Sequence, residues 1–251
     1  MATIDVNTDL GEGFGRYKVA DDPALLEIVT SVNVACGAHA GDPTIMYDTV
    51  AAARERGVVV GAHIGFPDRE GFGRRLIPMS PKELELLAIT QLGTLTAIAA
   101  HAGTVLTHAN FHGALGNLAI SDKDVAKVLI GALKSFDKSL KFVGVPLGES
   151  ALEAERQGIH VVRSLLADRA YTQEGKLVPR SAAGAVIKNP RRVRERIVKL
   201  MQHGLLETVD GTAIEMTFDS ILVHSDTTGS VEIAKEIREA IVNSGNTIAP
   251  F

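Results

Sequence analysis

The feature that most constrains the fold of this chain is the regular alternation of short apolar runs with amphipathic stretches that carry recognisable helix ends. The apolar runs are short and predict strands. They lie at residues 3–7, 31–35, 58–62, 104–107, 142–145, 160–163 and 221–223. Strands that alternate with helices build a parallel sheet through crossover connections. About seven such units in 251 residues predict an α/β fold with a single domain over residues 1–251, a (β/α) barrel.

The predicted helices are bounded by capping residues. Asp42, which precedes a proline, caps one helix, and the sequence SPKE at 80–83 forms a capping box at the start of the next. The sequences SDKD at 121–124 and NPRR at 189–192 start two more. Four glycines are predicted to end helices: Gly57, Gly103, Gly204 and Gly245. The most apolar stretch, residues 84–106, is interrupted by polar residues and predicts a core helix followed by a strand.

Charge and cysteine content narrow the class of protein. The net charge is −4 and the isoelectric point is about 6.1, whereas a protein that binds nucleic acid usually carries a basic surface. Cys36 is the only cysteine, so no disulfide can form within the chain. The N-terminus shows no secretory signal pattern. We therefore expect a cytoplasmic protein that binds neither nucleic acid nor membrane, and a homo-oligomer is left open.

Polar residues follow almost every predicted strand. In a barrel of this kind the active site forms at the carboxyl ends of the strands, so the side chains in these positions are expected to converge. Five of the eight histidines stand just past a predicted strand, which predicts a shared site. The residues in these positions are Asp9, Glu12, Cys36, His39, His63, Asp68, His108, His112, Glu149, Asp168, Arg169, His224 and Asp226.

Two kinds of chemistry fit imidazoles and carboxylates in one site. They can hold a divalent ion such as zinc, which lowers the pKa of a bound water. They can also work without metal, with a carboxylate as general base and an imidazole or arginine at the oxyanion. A third hypothesis, in which Cys36 is a nucleophile and His39 its base, competes with a buried, inert Cys36. The sequence contains no G-x-S-x-G motif and no Walker A loop.

Six motifs in order carry a family resemblance: DVNTDLGEGFG, SVNVACGAHAGDP, GAHIGFPDREGFGRR, HGALGN, ADRAYTQEGKLVPR and VHSD. With these motifs the sequence resembles the LamB/YcsF family of 5-oxoprolinase A subunits. The resemblance implies a TIM-like, irregular, seven-stranded (β/α) barrel similar to the glycoside hydrolase/deacetylase superfamily. It also implies a hydrolase that opens the cyclic amide 5-oxoproline to glutamate at the expense of ATP, together with partner subunits B and C.

The resemblance also implies roles for residues of the matching motifs. It makes Asp9, Glu12 and His112 catalytic, with Glu12 activating the attacking group. Residues that hold a divalent ion or orient the lactam would be Asp9, His39, His63 and His112. Arg75 would meet the substrate carboxylate. Further binding residues would be Asp42, Asn117, His224 and Asp226.

Some positions depart from the pattern of the family. Asn110 replaces a lysine, Phe111 a proline and Gly116 a tyrosine, and the lost lysine would have been a partner for a phosphate or an oxyanion. Thr8, Ile64 and Ser225 are further departures. The arginines of the segment DREGFGRR are expected either to reach a substrate carboxylate or to pair with acids on the surface. Two other functions stay open: a metal-dependent deacetylase of an N-acetylated carbohydrate, and a non-catalytic subunit that binds a small carboxylate.

Overall fold

The computed structural model describes residues 2–180 and 182–251, in which ten strands and eight helices are found. The strands are β1 (Thr3–Leu10), β2 (Ser31–Ala35), β3 (Val59–Ile64), β4 (Leu106–Phe111), β5 (Lys141–Gly144), β6 (Val161–Leu166), β7 (Leu205–Glu207), β8 (Ala213–Glu215), β9 (Ser220–Val223) and β10 (Thr247–Ile248). The helices are α1 (Asp22–Leu26), α2 (Pro43–Glu55), α3 (Pro81–His101), α4 (Gly113–Ser121), α5 (Lys123–Phe136), α6 (Glu149–Arg156), α7 (Pro190–His203) and α8 (Ser230–Asn243).

Seven parallel strands close into a barrel. The order is β1-β2-β3-β4-β5-β6-β9, and β9 pairs with β1 to close the ring. The short strand β10 pairs with the first residues of β1, and β7 and β8 form a separate antiparallel hairpin. These pairings confirm the predicted TIM-like, irregular seven-stranded (β/α) barrel and all seven predicted strands.

The predicted helix starts are confirmed with one shift. Asp42 caps α2 by accepting from two backbone amides, and Ser80 and Glu83 form the capping box of α3. Asn189 caps α7. In the SDKD sequence the cap is Asp122 rather than Ser121, because Ser121 is the last residue of α4, a helix that the sequence analysis did not predict.

The helix α3 is long and apolar enough to cross a membrane by length and composition. In the barrel it packs against α5 and β3. One face of α3 is buried there, formed by Leu84, Ala88, Leu92, Leu95 and Ala99. The spacing of three and four residues between these positions is that of one helix face, so the predicted core helix is confirmed.

The barrel interior is polar on the side of β1, β2 and β4. The Asn33 amide of β2 donates to Asn7 Oδ1 at 2.6 Å and to Asp9 Oδ1 at 2.8 Å. On the other side of β3, His108 Nε2–H donates to Asn33 Oδ1 at 2.9 Å. This contact crosses the middle of β3 at Gly61, where a Cβ atom would lie 2.2 Å from the His108 ring. Gly61 therefore makes room for the ring, and the network fixes the Asp9 carboxylate from below.

Candidate active site and metal centre

A buried cluster of one glutamate and three histidines lies at the carboxyl ends of the first four strands. Glu12 follows β1, and His39 lies in the loop after β2. His63 is the second-last residue of β3, and His112 directly follows β4. One ligand atom from each residue lies within 4.8 Å of the others. Glu12 Oε1 is 3.3 Å from His39 Nε2 and 3.4 Å from His112 Nδ1. The convergence of polar residues at one end of the barrel is therefore present in the structure.

The tautomers of two of these histidines are set by their outer hydrogen bonds. His63 Nδ1 donates to Asn110 Oδ1 at 2.6 Å, and His112 Nε2 donates to the Phe72 carbonyl at 2.8 Å. In the neutral rings this leaves His63 Nε2 and His112 Nδ1 without protons, and these two atoms face each other at 2.9 Å. Two lone pairs at this distance repel each other unless a cation lies between or beside them. The cluster is thus shaped for a shared positive charge.

Phe72 reaches this position through an unusual backbone conformation. Its φ is 54°, in the left-handed region that residues with a side chain rarely adopt. Gly73 follows with φ 63°, and a Cβ there would lie 2.7 Å from His39 Cβ and 2.8 Å from His112 Cδ2. The loop therefore presses against both imidazoles, and it aims a backbone carbonyl at His112. Strained backbone of this kind persists where the surrounding structure holds it, often at functional sites.

Electrostatics favour the neutral form of two imidazoles of the cluster, those of His39 and His112. Burial, with the neighbouring imidazoles, lowers the pKa of His39 and of His112 well below the usual value. Burial and then the charge of Asp9 raise the pKa of Glu12 well above its usual value. Neutral imidazoles have free lone pairs, and a carboxyl group that is costly to ionise alone is stabilised by a nearby cation.

The residues fit a divalent ion of the zinc class. Three nitrogen donors and one oxygen donor are the ligand types that zinc prefers. His39 Nδ1 is buried and has no hydrogen-bond partner within the described part of the chain, so no outer hydrogen bond commits the proton of this ring. The sequence-based ligand set contained Asp9 in place of Glu12. Asp9 Oδ1 lies 3.6 Å from His63 Nε2, beside the four-residue cluster.

A cavity of about 90 Å³ adjoins the cluster. Its polar wall includes Asp9, His63, Asn110 and His112, and its apolar wall includes Phe111, Phe142, Leu166 and Leu222. Three guanidinium groups also line it: Arg74, Arg169 and Arg180. A side chain at Gly116 would meet the Phe111 carbonyl, because a Cβ there would lie 2.4 Å from that oxygen. The end of β4 therefore leaves room only for a glycine at position 116 of α4.

Three further predicted site residues lie at or beside the cavity. Asn117 and His224 line it. His224 Nδ1 is 2.8 Å from Asp168 Oδ1, and Asp226 accepts from Arg74 Nη2 at 2.6 Å. Ser225, one of the departures from the family pattern, donates its hydroxyl to Glu12 Oε2 at 3.2 Å. The segment after β9 thus supports both the cluster and the cavity.

Arg75 and Asp42 are placed elsewhere by the structure. The Arg75 side chain is 62% exposed and pairs with Asp68 and Glu70. Asp42 caps α2 and also accepts from the Gly15 backbone amide at 2.8 Å. Neither residue lines the cavity. Of the two interpretations of Arg75, the structure therefore favours the ion pair with acids on the surface. The arginine of the DREGFGRR segment that lines the cavity is Arg74.

The Cys36 thiol does not have the environment of a nucleophile. It is buried, and its thiol donates to the Val34 carbonyl at 3.3 Å. Burial raises its pKa to about 12. A thiol that stays protonated at neutral pH is unreactive, so the structure favours an inert, buried Cys36.

Sequence reasoning did not single out Asn33 and Arg180. Asn33 donates to both Asn7 and Asp9 in the barrel interior, and Asn7 and Asp9 are two residues apart on β1. The two-residue period of a strand could have indicated a polar inner face. Arg180 lies in the long segment between β6 and α7, and its position in the cavity wall carries no local sequence signal.

Comparison with known proteins gives a consistent result. The LamB/YcsF family matches residues 4–251. The chain is 45% identical over 249 residues to the 5-oxoprolinase A subunit of Rhodopseudomonas palustris, covering 99% of this chain and 98% of that protein. It is 47% identical over 247 residues to one of the 5-oxoprolinase A subunits of Agrobacterium fabrum, covering 98% and 97%. The solved structure of a lactam utilization protein from Thermus thermophilus matches with a TM-score of 0.93 and 35% identity, over 99% of this chain and 100% of that one.

Proposed function

Because this chain belongs to the LamB/YcsF family, we propose that it is the A subunit of a 5-oxoprolinase and opens the cyclic amide of 5-oxoproline to give glutamate. The observation that carries the proposal is the buried Glu12, His39, His63 and His112 cluster beside a small cavity with guanidinium groups in its wall. Relatives of nearly equal length that are named as 5-oxoprolinase A subunits support it.

The size of the cavity favours a small substrate. Its volume of about 90 Å³ is well below the roughly 300–1,000 Å³ of sites for drug-sized ligands. 5-Oxoproline is a single five-membered lactam with one carboxylate. It can place its amide against the polar wall of the cavity while the methylene groups of the ring contact the apolar wall formed by Phe111, Phe142 and Leu166.

The residues divide the chemistry between the cluster and the cavity wall. Glu12, His39, His63 and His112 would hold a divalent ion, which when bound supplies Lewis acidity and a water of lowered pKa. Asp9 lines the cavity, and the hydrogen bond from Asn33 fixes the direction of its carboxylate. In this position Asp9 would accept a proton from the attacking water, and His112 lines the same cavity. The metal-free alternative uses the same groups, with Glu12 as the base.

Activation of the lactam is assigned to partner subunits. An unstrained five-membered lactam is a poor electrophile, and phosphorylation of its amide oxygen would create a leaving group. The sequence contains no Walker A loop, and Asn110 stands where a lysine could have met a phosphate. We therefore assign the use of ATP to a complex with subunits B and C in the cytoplasm.

The test is reconstitution with and without the partner subunits. The purified chain with magnesium and ATP should release no glutamate from 5-oxoproline, and addition of the two partner subunits should start turnover. In the complete complex, Glu12→Gln should lower kcat at least 100-fold while the protein stays folded, because the amide has nearly the shape of the carboxyl group but no charge. Rapid release by the isolated chain would overturn the assignment of ATP use. No release by the complete complex would overturn the substrate.

A metal-dependent deacetylase is the second candidate, because the same cluster suits the hydrolysis of an acetamide. It needs no ATP and no partner. Release of acetate from N-acetylglucosamine by the isolated, zinc-loaded chain would favour a deacetylase over the opening of 5-oxoproline. We expect no acetate release, since the cavity of about 90 Å³ is small for a sugar ring with its acetamide group.

A further inference from the structure

The guanidinium groups in the cavity wall differ in what they bind. Arg74 donates to the Asp226 carboxylate at 2.6 Å. Arg169 is buried and donates to the carbonyls of Val178 and Ala185. Arg180 is half-buried, and no hydrogen bond or ion pair of its side chain is found within residues 2–180 and 182–251. Among the arginines that line the cavity, Arg180 is thus the one whose N–H donors are all unpaired within the described part of the chain.

The surroundings of Arg180 would favour a bound anion. Burial lowers the pKa of Arg180, and the positive charge of Arg74 lowers it further. Nearby acids act in the opposite direction, but each of those closest to the cavity has another partner: Asp226 binds Arg74, Asp168 binds His224 and Thr227, and Asp9 binds Asn33. A partly desolvated guanidinium without a partner carries an energetic cost that a bound anion removes.

The ligand has to be small and planar at its charged end. A guanidinium presents parallel N–H donors that match the two oxygens of a carboxylate. The cavity also contains an apolar wall, so the anion should carry a compact hydrocarbon part. Arg75, the residue that the sequence analysis chose for this task, is excluded by its position, because it is bound to Asp68 on the surface.

We propose that Arg180 is the residue that binds the carboxylate of the substrate and so selects lactams that carry a carboxylate next to the ring nitrogen. The identity of the lactam rests on the proposed function, whereas the carboxylate site itself rests on the geometry of the cavity wall. Held at Arg180, a five-membered lactam can extend across the cavity with its amide toward Asp9, His63 and His112.

The experiment measures equilibrium binding to the full-length chain by calorimetry with three probes. 5-Oxoproline carries both the lactam and the carboxylate, 2-pyrrolidinone carries only the lactam, and cyclopentanecarboxylate carries only the carboxylate on a ring of the same size. The variants are Arg180→Gln, Arg180→Lys and, as the matched control, Arg75→Gln. A hydrogen bond to a charged group contributes about 1.5–3 kcal/mol, or about 10- to 150-fold in affinity.

We expect Arg180→Gln to weaken the binding of 5-oxoproline and of cyclopentanecarboxylate at least 10-fold. The affinity for 2-pyrrolidinone should not change. Arg180→Lys should recover part of the loss, because it keeps the charge without the planar fork, and Arg75→Gln should bind like the wild type. In the reconstituted complex, Arg180→Gln should raise KM for 5-oxoproline more than it lowers kcat.

The outcomes separate this proposal from the proposed function. Equal carboxylate affinity in the wild type and Arg180→Gln would overturn the role of Arg180, as would a wild type that binds neither carboxylate probe. Arg180-dependent binding of cyclopentanecarboxylate in a protein that never turns over 5-oxoproline would support the carboxylate site while the proposed substrate fails.

Discussion

At the scale of single residues, the tautomers of His63 and His112 are set by the hydrogen-bond acceptors on the side of each ring that faces away from the cluster. Asn110 Oδ1 accepts a hydrogen bond from His63 Nδ1, and the Phe72 carbonyl accepts one from His112 Nε2. These partners leave the other two ring nitrogens, His63 Nε2 and His112 Nδ1, without protons and with their lone pairs toward the cluster. Groups that orient metal-binding histidines in this way commonly change metal affinity by about 10- to 100-fold when they are removed.

Asn110 offers a direct test of the tautomer. Asn110→Asp keeps an acceptor for His63 Nδ1 and should keep metal affinity, whereas Asn110→Lys presents only donors and should force the proton of His63 onto Nε2. We expect zinc affinity, measured by competition with a chelator, to fall about 10- to 100-fold in the lysine variant. Asn117→Leu is the control, since Asn117 lines the same cavity and makes no hydrogen bond with His63 in the described structure. Equal affinity in the Asp and Lys variants would contradict the assigned tautomer.

The sequence predicted part of this chemistry. Asp9, Glu12, His39, His63 and His112 were expected to converge because each follows a strand, and they do lie together. Which carboxylate lies among the imidazoles could not be predicted from the sequence, because Leu10 and Gly11 separate Asp9 from Glu12 and the path of the backbone there decides. The position of the Arg75 side chain could not be predicted for the same reason: the direction of a loop side chain depends on contacts distant in sequence.

At the scale of elements, the barrel strands were predictable and several connecting elements were not. The seven barrel strands carry apolar runs, and the four helices with predicted starts, α2, α3, α5 and α7, all carry side-chain caps. In contrast, α4 follows His112 with no side-chain cap bond and includes Gly113 and Gly116, and α6 starts after Gly148 with no side-chain cap bond. The strands β7, β8 and β10 have only two or three residues each. Such elements form through tertiary contacts and leave no pattern long enough to detect.

Gly61 in the middle of β3 allows a test of how tightly the His108 side chain of β4 packs against β3 in the barrel interior. In Gly61→Ala the new Cβ would lie 2.2 Å from the His108 ring, which cannot stay in place. We expect the free energy of unfolding in urea to fall by about 1–3 kcal/mol, as for other overpacked cores. Gly131→Ala in α5 is the control, because nothing lies within 4 Å of a Cβ there, and alanine in a helix interior should stabilise by roughly 0.5–1 kcal/mol.

A second variant decides whether the ring is the cause. Gly61→Ala combined with His108→Ala removes the clash, so its stability should equal that of His108→Ala alone. If the double variant is still less stable by the full cost of Gly61→Ala, the loss arises in the β3 backbone and not in the packing of His108.

At the scale of the whole molecule, the closed ring of seven strands encloses a neutral histidine. Burial, with the charge of Lys141, lowers the pKa of His108 to about 3. An unfolded histidine takes up its proton near pH 6.5. Between these pH values the unfolded state binds one proton more than the folded state at this residue, so the folded state loses stability as the pH falls. The stabilising contribution is complete above about pH 6.5.

His108→Gln should therefore flatten the acid side of the stability curve. Glutamine can still donate to Asn33 but does not titrate. We expect wild-type unfolding free energy to fall by about 1.4 kcal/mol per pH unit more than that of the variant between about pH 6 and pH 4. Urea unfolding at a series of pH values measures the difference, and contributions from the other histidines cancel because both proteins contain them. Parallel curves for the two proteins would show that His108 is not held neutral by the fold.

The unequal filling of the barrel also shapes how the protein can diversify. On one side, Asn7, Asp9, Asn33 and His108 form a connected set in which each member needs its neighbours, so single replacements leave an unpaired buried group. On the other side, Phe142, Leu166 and Leu222 form an apolar wall that can exchange for residues of similar volume at low cost. Paralogues can thus change the shape of the cavity through β5, β6 and β9 while the polar side is kept, and a mutant library for altered ligands is best confined to the apolar wall.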